Sequence, residues 1–160
     1  MLGAHLKCTN VYPAPGFSAD ATIVACEKRK GDVLLGTPTM FVDILASKLR
    51  ENHDISSINY AIVGGSPVTP SLVNAARTEL KATVSCVYGQ TETCGGTFLT
   101  PIGSPDEITT NSVGYPYPGI DVKLTNEEGE IVKVGETGEL CSKSEFLFDG
   151  WVYKFLIFGE

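Results

Sequence analysis

The sequence predicts an α/β fold of parallel βαβ layers, followed from about residue 112 by the start of a small β subdomain. Three short apolar runs each end at a glycine-containing turn, and segments with helical periodicity separate them. After residue 111 the pattern changes to strand-like runs around a turn. We therefore expect a partial α/β subdomain at residues 1–111, a β unit at 112–150 and an apolar tail at 151–160.

A helix is expected ahead of the first of these runs. Ser18 is suited to cap it, and it should extend to about Lys30. Before it, residues 11–12 are compatible with the end of a strand. The positions expected to face inward are Ile23, Val24 and Cys26.

The first βα unit begins at residues 32–35, which have strand character and lead to Gly36. A helix should start at Pro38 with Thr37 as its N-cap, because Thr caps helices and proline is tolerated at the first helical position. Its apolar positions are Phe41, Ile44, Leu45 and Leu49.

The second unit repeats this arrangement. Residues 58–63 predict a strand that ends at a Gly-Gly turn, and Thr69 and Pro70 predict the start of the next helix. Its expected buried face is Leu72, Val73, Ala76 and Leu80. Residues 83–87 predict the third strand. Because βαβ crossovers place their strands parallel, the three glycine turns should lie at the carboxyl edge, where open α/β sheets bind ligands.

Residues 88–92 (YGQTE) carry the most informative chemistry in the chain. Tyr88 offers a ring for stacking, Thr91 a hydroxyl for an anionic oxygen, and Glu92 a carboxylate for a hard cation such as Mg²⁺. Gly89 is expected to permit backbone angles that a larger residue would resist. The alternative is a polar turn whose tyrosine packs on its own core. Three aligned turns favour a nucleotide-type cleft.

The last part of the chain predicts a β unit. Residues 121–124 and 130–134 flank the turn-like segment 126–129 and predict a hairpin, and residues 139–141 should add a third strand. Residues 92–111 are rich in Gly, Thr and Pro and predict a loop.

Composition limits the possible functions. The 160 residues suit one modest domain, and 42% hydrophobic residues suffice for a core. A net charge of -7 argues against a nucleic-acid surface. Five cysteines without paired spacing indicate reduced thiols in an intracellular compartment. His5 and His53 are isolated and expected at the surface. The tail is too short to span a bilayer.

Five segments occur together in the order and spacing of a known family: residues 36–41 (GTPTMF), 64–67 (GGSP), 88–92 (YGQTE), 112–119 (SVGYPYPG) and 138–141 (GELC). They resemble the adenylate-forming, AMP-binding acyl-CoA synthetases, in particular fatty-acyl-CoA ligases of the medium-chain type. The resemblance extends from about residue 11 to residue 150.

This resemblance implies an acid–thiol ligase that activates a fatty acid with ATP and Mg²⁺ as an acyl-adenylate and transfers it to coenzyme A. It implies that Tyr88 stacks on adenine, that Thr91 contacts phosphate and that Glu92 helps to hold Mg²⁺, so that Thr91 and Glu92 are the catalytic positions. The wider nucleotide site would comprise Gly64, Gly65, Ser66, Pro67, Tyr88, Gly89, Gln90 and Thr91. An acyl channel would lie near Phe41, Cys94, Gly95 and Gly96.

Family members are several times longer, and their phosphate loop, ribose-binding aspartate, hinge and catalytic lysine have no counterpart in this sequence. We therefore expect an internal fragment of a ligase that is not catalytically competent alone. The alternative is a truncated, non-catalytic isoform or pseudo-enzyme that at most binds nucleotide or a partner. Relatives of this type imply a mitochondrial or a cytoplasmic location.

Overall fold

The computed structural model describes residues 7–150, so the predictions for the tail at 151–160 and for His5 lie outside the described residues. Two 3₁₀ turns, Lys48–Asn52 and Thr91–Thr93, accompany the regular elements. In chain order these elements are α1 (Ala19–Arg29), β1 (Val33–Gly36), α2 (Pro38–Ala46), β2 (Tyr60–Gly64), α3 (Pro70–Leu80), β3 (Thr83–Tyr88), β4 (Phe98–Leu99), α4 (Asp106–Asn111), β5 (Tyr115–Pro116), β6 (Ile120–Thr125) and β7 (Glu139–Ser144).

The main sheet has five strands in the order β1-β2-β3-β4-β5. β1, β2 and β3 are parallel, as the two βαβ units predict, and β4 and β5 extend the sheet with antiparallel pairing. Gly36 pairs with Val63, and Gly64 pairs with Val87. The carboxyl ends of the three parallel strands therefore lie at one edge, as predicted.

One face of this sheet carries the core. Leu34, Ala61 and Val84 are in register across β1, β2 and β3, and all three are buried. The helices cover them with Ile23 from α1, Phe41 and Ile44 from α2, and the predicted face of α3, namely Leu72, Val73, Ala76 and Leu80. Hydrophobic burial on this one face stabilises the α/β layer.

The helix starts follow the predicted caps. Ser18, Thr37 and Thr69 each accept a main-chain hydrogen bond from the first turn of α1, α2 and α3. Two details differ from the sequence prediction. Val24 is 40% exposed, and α2 ends at Ala46, so that Leu49 packs from the 3₁₀ turn instead.

Several segments fold differently from the pattern-based prediction. Residues 11–12 are not in a strand, and the predicted loop at 92–111 contains β4 and α4. β4 has two residues and α4 has six, so neither is long enough to show a periodic pattern in the sequence. β5 continues the main sheet beyond residue 111, and the proposed domain division at that residue stays a prediction.

The predicted three-stranded β unit is a two-stranded pair in the described structure. β6 pairs with β7, from Ile120 opposite Ser144 to Thr125 opposite Glu139. The predicted partner at 130–134 makes only the isolated bridge between Thr125 and Ile131. The turn does form, because Asn126 N–H donates to Glu130 O at 2.9 Å, but the chain leaves the sheet after it.

Candidate functional site

The turn after β1 begins the edge at which the strands end. Thr37 caps α2 by accepting from Met40 N–H at 3.5 Å, and its hydroxyl lies 3.0 Å from that of Thr39. A Cβ placed on Gly65 would lie 3.6 Å from Thr37 Cγ2, so the turn after β2 is in van der Waals reach of this cap. The first two predicted turns are therefore adjacent.

The turn after β2 is packed against β3. A Cβ on Gly64 would lie 2.3 Å from the main-chain oxygen of Val87 and 2.4 Å from Val87 Cγ1. Only glycine fits this approach. Gly65 has a φ of +88°, which glycine adopts without strain, and Gly65, Ser66 and Pro67 are exposed. The turn thus presents an accessible backbone directly beside Tyr88.

The turn after β3 is closed by hydrogen bonds around Gln90. Gln90 N–H donates to Thr93 Oγ1 at 3.0 Å, and Gln90 O accepts from the main-chain N–H groups of Thr93 and Gly95 at 3.1 and 3.0 Å. Thr97 Oγ1 donates to Thr93 Oγ1 at 2.9 Å. The segment that carries Thr91 and Glu92 is consequently a folded turn.

Gly89 is needed in this turn for a different reason from the one predicted. Its φ lies outside the left-handed region, so unusual backbone angles do not explain it. A Cβ at this position would lie 2.3 Å from the carbonyl oxygen of Gly95 and 2.7 Å from Gly96 Cα. The glycine permits the returning chain to touch the end of β3.

The Tyr88 ring is fixed by two neighbours. It meets the Phe98 ring edge to face, with centroids 5.9 Å apart, and its hydroxyl accepts from Gln90 Nε2 at 3.2 Å. Such aromatic pairs add to packing energy. The ring remains half-buried, so part of it is accessible at the edge.

Thr91 is exposed and Glu92 is half-buried on the short 3₁₀ turn that follows Tyr88. The main-chain oxygen of Glu92 accepts from Phe148 N–H at 3.1 Å, which links this turn to the chain after β7. Among residues 7–150 no group of three or more His, Cys, Asp or Glu side chains could hold a metal ion. Glu92 thus offers a single carboxylate.

The predicted acyl-channel residues separate into two groups. Phe41 is fully buried in the core, within 3.4 Å of a Cβ placed on Gly36. Cys94 and Gly95 are exposed and Gly96 is half-buried beside the YGQTE turn. Three further residues support this turn without being predicted from the sequence: Thr93, Tyr117 and Phe148. Tyr117 lies within the SVGYPYPG segment, whereas no sequence signal points to Phe148.

No two cysteines among residues 7–150 form a disulfide. Burial raises the pKa of the Cys86 thiol, against an opposing effect from Arg77, and Cys86 Sγ donates to Thr109 O at 3.4 Å. This cysteine at the end of β3 is therefore a protonated packing group.

His53 is not isolated, contrary to the sequence prediction. Its Nδ1 lies 2.6 Å from Glu27 Oε2, and its side chain is only 23% exposed.

Among residues 7–150, no helix has the combination of length and hydrophobicity that a transmembrane segment requires.

The chain belongs to the AMP-binding enzyme family, because the model of that family matches residues 1–152. Two of the relatives that it resembles are acyl-CoA ligases. The acyl-CoA ligase cnsG of Penicillium expansum is 33% identical over 135 residues, which cover 84% of this chain and 28% of the relative. The mitochondrial medium-chain acyl-CoA ligase ACSF2 of Rattus norvegicus is 33% identical over 146 residues, which cover 89% of this chain and 24% of the relative.

The fold agrees with this membership. The anthranilate CoA ligase AuaEII, solved in complex with anthranoyl-AMP, superimposes with a TM-score of 0.79 and 24% identity. The match covers 88% of this chain and 26% of that structure. The chain thus spans about a quarter of the length of the relatives it matches.

Proposed function

We propose that this chain forms the adenine and magnesium part of an ATP-dependent fatty acid–CoA ligase. Such an enzyme activates a carboxylic acid as an acyl-adenylate and transfers the acyl group to coenzyme A. The observation that carries the proposal is the meeting of three strand-end turns at one edge, with Tyr88, Thr91 and Glu92 on the third. Membership of the AMP-binding family supports the same chemistry.

The turns fit a nucleotide base. Gly65, Ser66 and Pro67 leave their backbone exposed, and Tyr88 is held by Phe98 with part of its ring accessible. A planar base stacked on Tyr88 would reach the backbone polar groups of residues 64–67 because Gly64 brings the two strand ends into contact. These groups provide position and no proton transfer.

The donor set also fits magnesium. Mg²⁺ keeps several waters and shares phosphate ligands, so a single carboxylate such as Glu92 suits it better than a closed cluster of side chains. Thr91 would donate its exposed hydroxyl to a phosphate oxygen. The bound ion would neutralise charge on the phosphates during transfer.

The acyl group is assigned to the neighbourhood of Cys94, Gly95 and Gly96, which adjoins the YGQTE turn. Phe41, the fourth residue proposed for the acyl channel, is fully buried in the core, so an acyl chain would reach it only from the Gly36 side. The substrates proposed are a fatty acid, ATP and coenzyme A, with no nucleic acid as partner. The name of the relative ACSF2 supports a mitochondrial location, with the cytoplasm as the alternative.

Binding can be tested by thermal unfolding of the chain with Mg²⁺ and a non-hydrolysable acyl-adenylate analogue. A ligand at 100 times its Kd that binds only the folded state adds about 2.7 kcal/mol. We expect a clear rise in Tm that Tyr88→Ala abolishes and that the matched variant Tyr12→Ala retains, since Tyr12 is 86% exposed and its neighbours belong to α1. An unchanged Tm for the unmodified chain would contradict the proposal.

Glu92→Gln tests the magnesium assignment separately. It should reduce the Mg²⁺-dependent part of the Tm shift, whereas Glu128→Gln in the exposed turn after β6 should leave it intact. Analogue binding by a chain that catalyses no ATP–pyrophosphate exchange would favour the non-catalytic alternative.

A further inference from the structure

The turn that carries Thr91 and Glu92 is supported from outside by a residue with no assigned role. Tyr117 lies just before β6 and is half-buried. A Cβ placed on Gly96 would lie 3.0 Å from Tyr117 Cε2 and 3.7 Å from Cδ2 and Cζ. The ring therefore packs on the Gly96 backbone in the space that a side chain would otherwise take.

The same backbone segment contacts the candidate site on the Gly89 side. The carbonyl of Gly95 and the Cα of Gly96 occupy the position that a Gly89 Cβ would need, at 2.3 and 2.7 Å. The 95–96 segment thus touches Gly89 directly and the Tyr117 ring directly. Movement of the Tyr117 ring would therefore remove a contact that holds the 95–96 segment against Gly89 at the end of β3.

Main-chain hydrogen bonds connect the same three parts. Tyr117 N–H donates to Thr97 O at 2.9 Å, and Thr97 N–H donates to Tyr88 O at 2.7 Å. Thr97 is 1% exposed, so these bonds are shielded from water. Burial also raises the pKa of the Tyr117 phenol, so the packed ring stays neutral.

We propose that Tyr117 is a positioning residue for the candidate nucleotide turn: its ring holds the Gly95–Gly96 segment against Gly89 and thereby fixes the geometry of Thr91 and Glu92. The ring, and not the hydroxyl, carries this role. The effect on ligand binding rests on the proposed function, whereas the effect on the turn does not.

Hydrogen exchange measured by mass spectrometry on the full chain tests the effect on the turn. In Tyr117→Ala the amides of residues 88–97 should exchange faster, on the order of tenfold, while those of α3 stay unchanged. Tyr117→Phe should behave like the unmodified chain. Tyr115→Ala is the matched control, because Tyr115 is two residues away and 58% exposed. A purely global loss of stability would accelerate α3 as well, and that result would overturn the proposal.

Ligand binding gives a second readout. Tyr117→Ala should weaken binding of the acyl-adenylate analogue with Mg²⁺ on the order of tenfold, since small displacements of positioning groups have large effects. Unchanged exchange in residues 88–97, or equal acceleration in Tyr117→Phe, would refute the positioning role. If the unmodified chain does not bind the analogue, the proposed function fails, while the exchange result still decides the role of Tyr117.

If Tyr117→Ala does not fold, two milder variants keep the test decisive. Tyr117→Leu keeps apolar volume without the ring, and Gly96→Ala forces the ring outward by a few tenths of an ångström. Both should accelerate exchange in residues 88–97 and spare α3. A normal exchange pattern in both variants would overturn the proposal.

Discussion

The single glycine residues at the strand ends are required for different reasons. Gly65 has a positive φ, whereas Gly64 and Gly89 are required because neighbouring backbone occupies the place of a side chain. The first kind of requirement concerns the residue's own backbone conformation, whereas the second depends on a contact with another segment, Val87 for Gly64 and Gly95 for Gly89. A glycine in the sequence therefore does not reveal which reason applies.

Gly89→Ala should lower the free energy of unfolding by about 1–3 kcal/mol, because the added methyl group collides with the Gly95 carbonyl. Gly16→Ala is the matched control, since a Cβ at Gly16 meets nothing within 4 Å. Urea denaturation of both variants measures the difference. Equal stabilities would show that the returning segment moves aside freely.

At the scale of elements, the helices of the two βα units start in the same way. Thr37 and Thr69 cap α2 and α3, and a proline follows each of them. The local sequence alone provides these starts, because the hydroxyl and the fixed φ of proline act within one turn. Helix ends depend more on packing, as the early end of α2 at Ala46 shows.

Thr69→Ala should destabilise the chain by about 1 kcal/mol, since Leu72 N–H loses its bond of 3.3 Å to the Thr69 hydroxyl. Thr78→Ala, in the interior of α3, should keep or raise stability because alanine has the highest helix propensity. Thermal unfolding distinguishes the two. A loss as large in Thr78→Ala would contradict the capping argument.

Polar contacts at the opposite edge of the sheet attach α1 to the chain before β2. Glu27 Oε1 accepts from Asp54 N–H at 2.8 Å, and Glu27 Oε2 lies 2.6 Å from His53 Nδ1. The Asp54 main-chain bond first, and His53 second, hold the pKa of Glu27 below its ordinary value; Lys30 adds a smaller effect. The carboxylate form is therefore favoured in the folded state.

The lowered pKa of Glu27 predicts the direction in which stability changes with pH. Its contribution to stability is present above the pKa of the unfolded state, about 4.3, and is lost as pH falls through the folded value. Glu27→Gln should thus reduce stability at pH 7 and converge with the unmodified chain in acid. Urea denaturation from pH 7 to pH 3 tests this, with Glu128→Gln as an exposed control. A constant difference at all pH values would contradict the linkage.

At the scale of the whole molecule, the described helices cover only one face of the parallel strands. On the opposite face Val33 and Leu35 of the edge strand β1 are 52% and 70% exposed. Parallel sheets are ordinarily covered on both faces, and open apolar edges promote association. This face is thus a source of aggregation when the chain is isolated.

Leu35→Lys should increase the monomeric fraction of the purified chain, because a charge on an exposed edge opposes strand pairing. Folding should be preserved, since Leu35 contributes little to the core. Its neighbour Leu34 is 8% exposed, and Leu34→Lys should abolish cooperative unfolding. Size-exclusion chromatography and thermal unfolding measure both. An unmodified chain that is already monodisperse would contradict the expectation of association.

The local features follow from the amino-acid sequence alone: three strands, the Thr-Pro helix starts, the buried face of α3 and the chemistry of residues 88–92. Each depends on residues within one or two turns of each other, where periodicity and capping act. Three other features depend on how the chain packs in three dimensions: β6 pairs with β7, the Gly95 carbonyl contacts Gly89, and Tyr117 packs on Gly96. The β6–β7 and Tyr117–Gly96 contacts join residues distant in the chain, and the Gly89–Gly95 contact forms across a folded turn. Packing selects all of these partners, and no local pattern records it.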